Sequence, residues 1–170
     1  MRSRKRSLKQ RISVTTQAPD ELINEHPGID LSGLSLYGII RGNPTDNHGW
    51  GDKFSYPTEP SPPVGMTPCS MMWRGYIATH RLAADGTFHI VRFRFLTEIQ
   101  VDHDNDDDGE VVVQYETQSV NEQIDGDFWL VLKPRFSAPR TYLPFRDGIV
   151  VEDRCDWVVE EPKHRHRPRK

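Results

Sequence analysis

Three groups of side chains in this sequence have types and spacings that suit chemistry. The run Asp104-Asn105-Asp106-Asp107-Asp108-Gly109 puts carboxylates at Asp104, Asp106 and Asp108, alternate positions ahead of a glycine. That is the first half of an EF-hand-type calcium loop, which needs an oxygen ligand every second residue and a glycine where the chain turns sharply. The second half departs from the pattern. The bidentate acid belongs at Tyr115, six residues past the glycine, and Glu116 comes one place late. Calcium binding here is expected to be weak, in the millimolar range. The alternative is a solvated acidic hairpin loop between Ile99 and Val111.

The second group is His80 and His89, either side of Asp85-Gly86. Facing each other near the turn with Asp85 close by, they would form a general acid–base pair. The plainer reading is two half-exposed strand histidines. The third is Arg74, set between Trp73 and Gly75-Tyr76. It suits an anion-binding guanidinium stacked on Trp73 or Tyr76, or an ion pair with one of the many acids of the chain. Trp73, Arg74, Tyr76, His80 and His89 are therefore the candidate binding residues, and no residue takes a catalytic role. His48, Asp46 and Asp52 in NPTDNHGWGD read as a turn before they read as a polar site. No Gly-rich phosphate loop, G-x-S-x-G, H-E-x-x-H or C-x-x-C occurs.

The element that must position these groups runs from Trp73 to Leu96, WRGYIATHRLAADGTFHIVRFRFL. Tyr76, Ala78, His80 and Leu82 alternate with Ile77, Thr79 and Arg81, the period of a strand. Asp85-Gly86 supplies the left-handed positions that a tight hairpin needs. In the second arm Phe88 and Ile90 share one phase, while Val91, Phe93 and Phe95 share the other. A phase change inside one strand predicts a bulge near Ile90-Val91. A lone hairpin is marginal in water, so other strands must pair with it.

Trp73-Arg74-Gly75-Tyr76-Ile77-Ala78-Thr79, the Asp-Gly turn and the apolar strand after it resemble a segment of small bacterial proteins with no assigned activity. Their pattern is W-R-G-Y-x-[AG]-T-W followed by x-D-G-x-L-Y-L. Gly126-Asp127-Phe128-Trp129-Leu130 and Gly148-Ile149-Val150-Val151 are similar to a later strand and a closing G-x-V-V in that pattern. His80 stands where the pattern has Trp. The resemblance spans Trp73 to Val151 and implies a shared β fold, not an activity.

Around the hairpin the rest of the chain reads in order. Pro19, Asp20, Glu21, Leu22 and Ile23, closed by Pro27-Gly28, predict a short N-terminal helix from Ala18 to His26. Leu34 to Arg41 reads as a strand weakened by Gly38. Residues 42–72 hold six of the 13 prolines, so neither helix nor central strand is expected there. Trp50, Phe54 and Tyr56 should dock this segment across the body. Glu110 to Thr117 and Gly126 to Lys133 read as strands, the latter central because both of its faces are apolar. Pro134, Pro139 and Pro144 mark a loop, and Ile149–Val151 and Trp157–Val159 read as short last strands.

The totals bound what such a chain does. At 170 residues it is one β-rich domain over 12–162 with basic tails at 1–11 and 163–170. The tails carry six and five Lys/Arg and no acid, which leaves 11 bases against 25 acids, a net of −14, on the body. No apolar run is long enough to span a membrane, no apolar segment follows Arg6 as a secretory signal would require, and a cytoplasmic location is expected. Two reduced thiols are preferred to a Cys69–Cys155 bridge.

The expected fold is thus mainly β: an antiparallel sheet of about five to seven strands, curled into a half-barrel or small sandwich, with one short helix. The expected function is a non-enzymatic binding module for a protein or small-molecule partner. Two alternatives stand beside it. One is a nucleic-acid-associated protein acting through its basic tails, opposed by the acidic body. The other is a small hydrolase with a site near Arg74, His80 and His89. No cofactor is expected beyond weak calcium.

Overall fold

The computed structural model describes residues 19–44, 55–64, 74–101, 111–134 and 139–160, with the backbone path alone for 98–101 and 111–113. Trp50, Phe54, Cys69, Trp73, the acidic run with Asp104, Asp106 and Asp108, and both basic tails lie outside the described residues. The strands are β1 (Glu21–Asn24), β2 (Ser35–Ile40), β3 (Ile77–Leu82), β4 (Phe88–Val101), β5 (Val111–Gln123), β6 (Phe128–Lys133), β7 (Thr141–Arg146), β8 (Ile149–Val150) and β9 (Val158–Val159). They form two mostly antiparallel sheets, one ordered β1-β3-β4-β5, the other β2-β6-β7-β8 with β9 also on β7.

The two sheets share one interior. Leu36, Ile39, Phe128, Leu130, Leu132, Leu143 and Phe145 of the second sheet meet Ala78, Leu82, Phe88, Ile90, Phe93 and Phe95 of the first. Phe128 and Phe145 stack at 4.4 Å between centroids, and Phe88 crosses from the first sheet to lie 5.8 and 5.3 Å from them.

The hairpin forms as its turn chemistry requires. Ala83 N–H donates to Thr87 O at 2.9 Å, Gly86 N–H donates to Ala83 O at 3.0 Å, and Gly86 sits at φ 85°. The bulge is present: Thr79 pairs with Arg92 and His80 with Ile90, so Val91 has no partner on β3. The extra residue restores the phase, and Ile90 and Phe93 both point inward. β6 is central, between β2 and β7. β3 follows β4 only as far as Arg94, so β4 and β5 continue beyond it as a two-stranded ribbon.

Two expectations are corrected. The N-terminal helix is not there: residues 21–24 form β1, parallel to β3 from Glu21↔Thr79 to Asn24↔Leu82. A nine-residue helix with two adjacent apolar residues is marginal on its own. As a strand the same segment pairs its backbone with the open edge of β3 and packs Leu22 against the core. The Pro139–Pro144 stretch is not a loop but holds β7, paired with β6 along its length. Pro144 is tolerated because of where it falls. Val151 N–H donates to Pro144 O, and the reciprocal donor that proline lacks is replaced by the Trp157 indole, which donates to Val151 O at 3.2 Å.

Candidate functional site

The sequence-predicted Arg74 and His80 belong to a buried polar cluster. The chain enters β3 through Gly75 at φ 82°, which turns Arg74 back toward the segment before β1. Its guanidinium donates twice to the Asp20 carboxylate, at 3.3 and 2.5 Å, and lies over the Tyr76 ring at 5.0 Å from the centroid. Asp20, its side chain wholly buried, also accepts the Ala78 N–H at 3.0 Å. The Arg74 charge also acts on the Tyr56 hydroxyl, which lies 3.2 Å from His80 Nε2. The His80 ring is stacked between Tyr56 and Phe88 at 5.8 and 5.3 Å.

Electrostatics make this cluster a clamp. Complete burial pulls the His80 pKa down to about 4, with the Asp20 charge opposing the shift and Arg74 adding to it. The imidazole is therefore neutral at pH 7. Burial, and then the Asp20 charge, push the Tyr56 hydroxyl well above its ordinary value. The Asp20 carboxylate already holds three donors from Arg74 and Ala78. What the arrangement does is join the segment before β1, the Tyr56 segment and β3.

The expectation that His80 and His89 face each other is corrected. His89 pairs with Arg81, on the opposite face from His80. A two-residue turn would have put the two histidines opposite each other; the three-residue loop ending at Gly86 moves the register by one and sends His89 outward. There it lies 2.8 Å from Thr87 Oγ, whose hydroxyl donates to Asp85 at 2.6 Å. Those bonds, with the Thr87 N–H, hold the Asp85 carboxyl below its usual range. Of the predicted residues the structure thus gathers Arg74, Tyr76 and His80 and separates His89. Tyr115, where a calcium loop needs its acid, stands on β5 beneath Arg94, whose guanidinium is 5.0 Å from the ring centroid.

The outer face of the first sheet carries the residues that the sequence reading did not assemble. Since Ala78, His80 and Leu82 point inward, Thr79 and Arg81 point out; on β4 the bulge puts Arg92 and Arg94 on that same outer face. Glu21 of β1 is the one carboxylate that Arg92 and Arg94 pair with among the described residues, and Arg81 has no ion pair there. Glu21 accepts from Thr79 Oγ at 2.7 Å and from Arg94 at 2.5 Å, and lies 3.6 Å from Arg92. Arg92 Nε donates to Thr79 Oγ at 3.2 Å. The Nε groups of Arg81 and Arg94 are buried without a hydrogen-bond partner. Tyr115, Thr117 and Ser119 complete the face from β5, Tyr115 being 40% exposed. The two-residue spacing of Arg92 and Arg94 was the available signal; Arg81 and Glu21 needed the register.

A second locus is a shallow depression of about 450 Å³ on the second sheet, lined by Gly42, Asn43, Asp127, Trp129 and Arg146. Arg146 covers the Trp129 ring at 5.1 Å. Among the described residues no group of three or more His, Cys, Asp or Glu is arranged to hold a metal. Cys155 is exposed and unbridged. Set against protein-family models, curated proteins and solved structures, the chain matches none.

Proposed function

We propose that the protein is a non-enzymatic binding module that takes an anionic partner on the outer face of its first sheet. One observation carries the reading: the guanidiniums of Arg92 and Arg94 share a single carboxylate, that of Glu21, and Arg81 on the same face has no ion pair among the described residues. The surplus of two positive charges stands on a body whose net charge is −14. Guanidiniums so arranged offer planar forks of donors, the geometry suited to phosphate or carboxylate. The buried cluster of Asp20, Arg74, Tyr56 and His80 serves this face by fixing β1, and with it Glu21, beside β3.

The test is calorimetric titration with inorganic tripolyphosphate at low ionic strength. The parent chain should bind, and Arg81→Gln and Arg92→Gln should each weaken binding several-fold, as loss of an exposed charge contact does. Equal affinity for the parent and both variants, with their melting temperatures unchanged, would rule the reading out.

A further inference from the structure

We infer that the anionic partner is a single-stranded nucleic acid laid along the strands of the first sheet, an assignment that rests on the reading above and names its ligand. The arginines stand in file. Arg94 shares a row with Ile77 and Thr117, Arg92 with Thr79 and Ser119, and Arg81 with Ile23, His89 and Gln123. Successive rows are about 7 Å apart, since residues on one face of a strand alternate at about 3.4 Å per residue. A cation in each of three rows matches the repeat of phosphates along an extended strand.

At the end of the file the half-open Tyr115 ring stands beside Arg94. A phosphate track next to an aromatic ring is how single strands are held without reading their sequence. The β5 residues beside the track, Thr117, Ser119 and Gln123, are uncharged hydrogen-bonding groups that accept any base. The acidic body favours one strand over two. A duplex would bring a second row of phosphates to a chain whose residues 12–162 carry a net charge of −14, while a single strand needs only the local surplus of arginine.

The experiment uses the full chain and fluorescence anisotropy over a series of KCl concentrations. The probes are an oligothymidylate of about 12 nucleotides and an abasic strand with the same phosphates. Inorganic tripolyphosphate is titrated in parallel. The oligothymidylate should bind with a slope of log affinity on log salt near −2, about −0.7 for each of three arginine contacts. Arg81→Gln and Arg92→Gln should each remove about 0.7 of that slope. Tyr115→Ala should weaken the oligothymidylate roughly tenfold and leave the abasic strand unchanged. Circular-dichroism melts establish that each variant is folded, and Arg81→Gln and Arg92→Gln leave the Arg94–Glu21 pair intact.

Tripolyphosphate binding with no oligothymidylate binding overturns this inference and leaves the anion-binding reading standing. So does equal affinity for the abasic strand. A salt slope that the arginine variants do not change moves the contact to other cations and overturns it too. Silence with all three probes sinks both.

Discussion

A single carboxylate, that of Asp20, holds the N-terminal segment to β3, taking both donors of Arg74 and the N–H of Ala78. Asp20→Asn leaves the Arg74 guanidinium without its counter-charge in a mostly buried site, and urea unfolding should report a loss of about 3–5 kcal/mol. Beside it His80 sets a pH dependence with a definite sign. Its pKa falls from 6.5 to about 4 on folding, so the unfolded chain takes up a proton that the folded chain refuses. The stability is intact above pH 6.5, declines as the pH drops toward 4, and levels off below. At about 1.4 kcal/mol per unit over two and a half units, the loss is about 3 kcal/mol. Urea midpoints should fall across that window in the parent and much less in His80→Gln; parallel curves would refute the account. Arg74 and His80 were legible as polar residues of interest. Their burial was not, because period-2 alternation tells which residues share a face and not which face the second sheet covers.

At the scale of elements, the central turn does more than reverse the chain. Gly86 O accepts the Val150 N–H at 3.0 Å and Thr87 bridges to Ile149, so the tip of the first sheet's hairpin is bonded to the second sheet. A Cβ on Gly86 would lie 3.3 Å from both Ile149 Cγ2 and Val150 Cγ1, at a φ that side chains rarely adopt. Gly86→Ala should therefore cost more than about 1 kcal/mol, read from its denaturation midpoint. Trp157→Phe removes the donor that stands in for Pro144, and a loss of about 1 kcal/mol is expected, more if Val151 O is left dry. An unchanged midpoint for that variant would mean that solvent supplies the bond. The hairpin, the Val91 bulge and the central place of β6 could be read in advance, since each rests on a local pattern. β7 could not, because its proline is excused by an indole thirteen residues away. Nor could β1, whose partner edge lies more than fifty residues on.

For the whole molecule, the interior shared by both sheets implies one cooperative unit. Tryptophan fluorescence and far-UV circular dichroism should give coincident urea transitions. Phe128→Ala, which empties the stack with Phe145 and Phe88, should lower stability by about 3–5 kcal/mol on both probes together. Two separated transitions would show the sheets to be independent. The charge is also segregated along the chain: residues 1–11 and 163–170 are basic, residues 12–162 are acidic, and an arginine file lies on the outer face of the first sheet.

By itself the sequence determined the β class, the hairpin at Asp85-Gly86, the bulge that follows it and the separation of charge, all of which arise from alternation, turn chemistry and composition. Only the tertiary structure decided which histidine is buried, what Arg74 pairs with, that residues 21–24 are a strand, and that Arg81, Arg92 and Arg94 lie on one face where Glu21 pairs with the last two. Those depend on register and on contacts between segments far apart in the chain, where one residue of slip exchanges inside for outside.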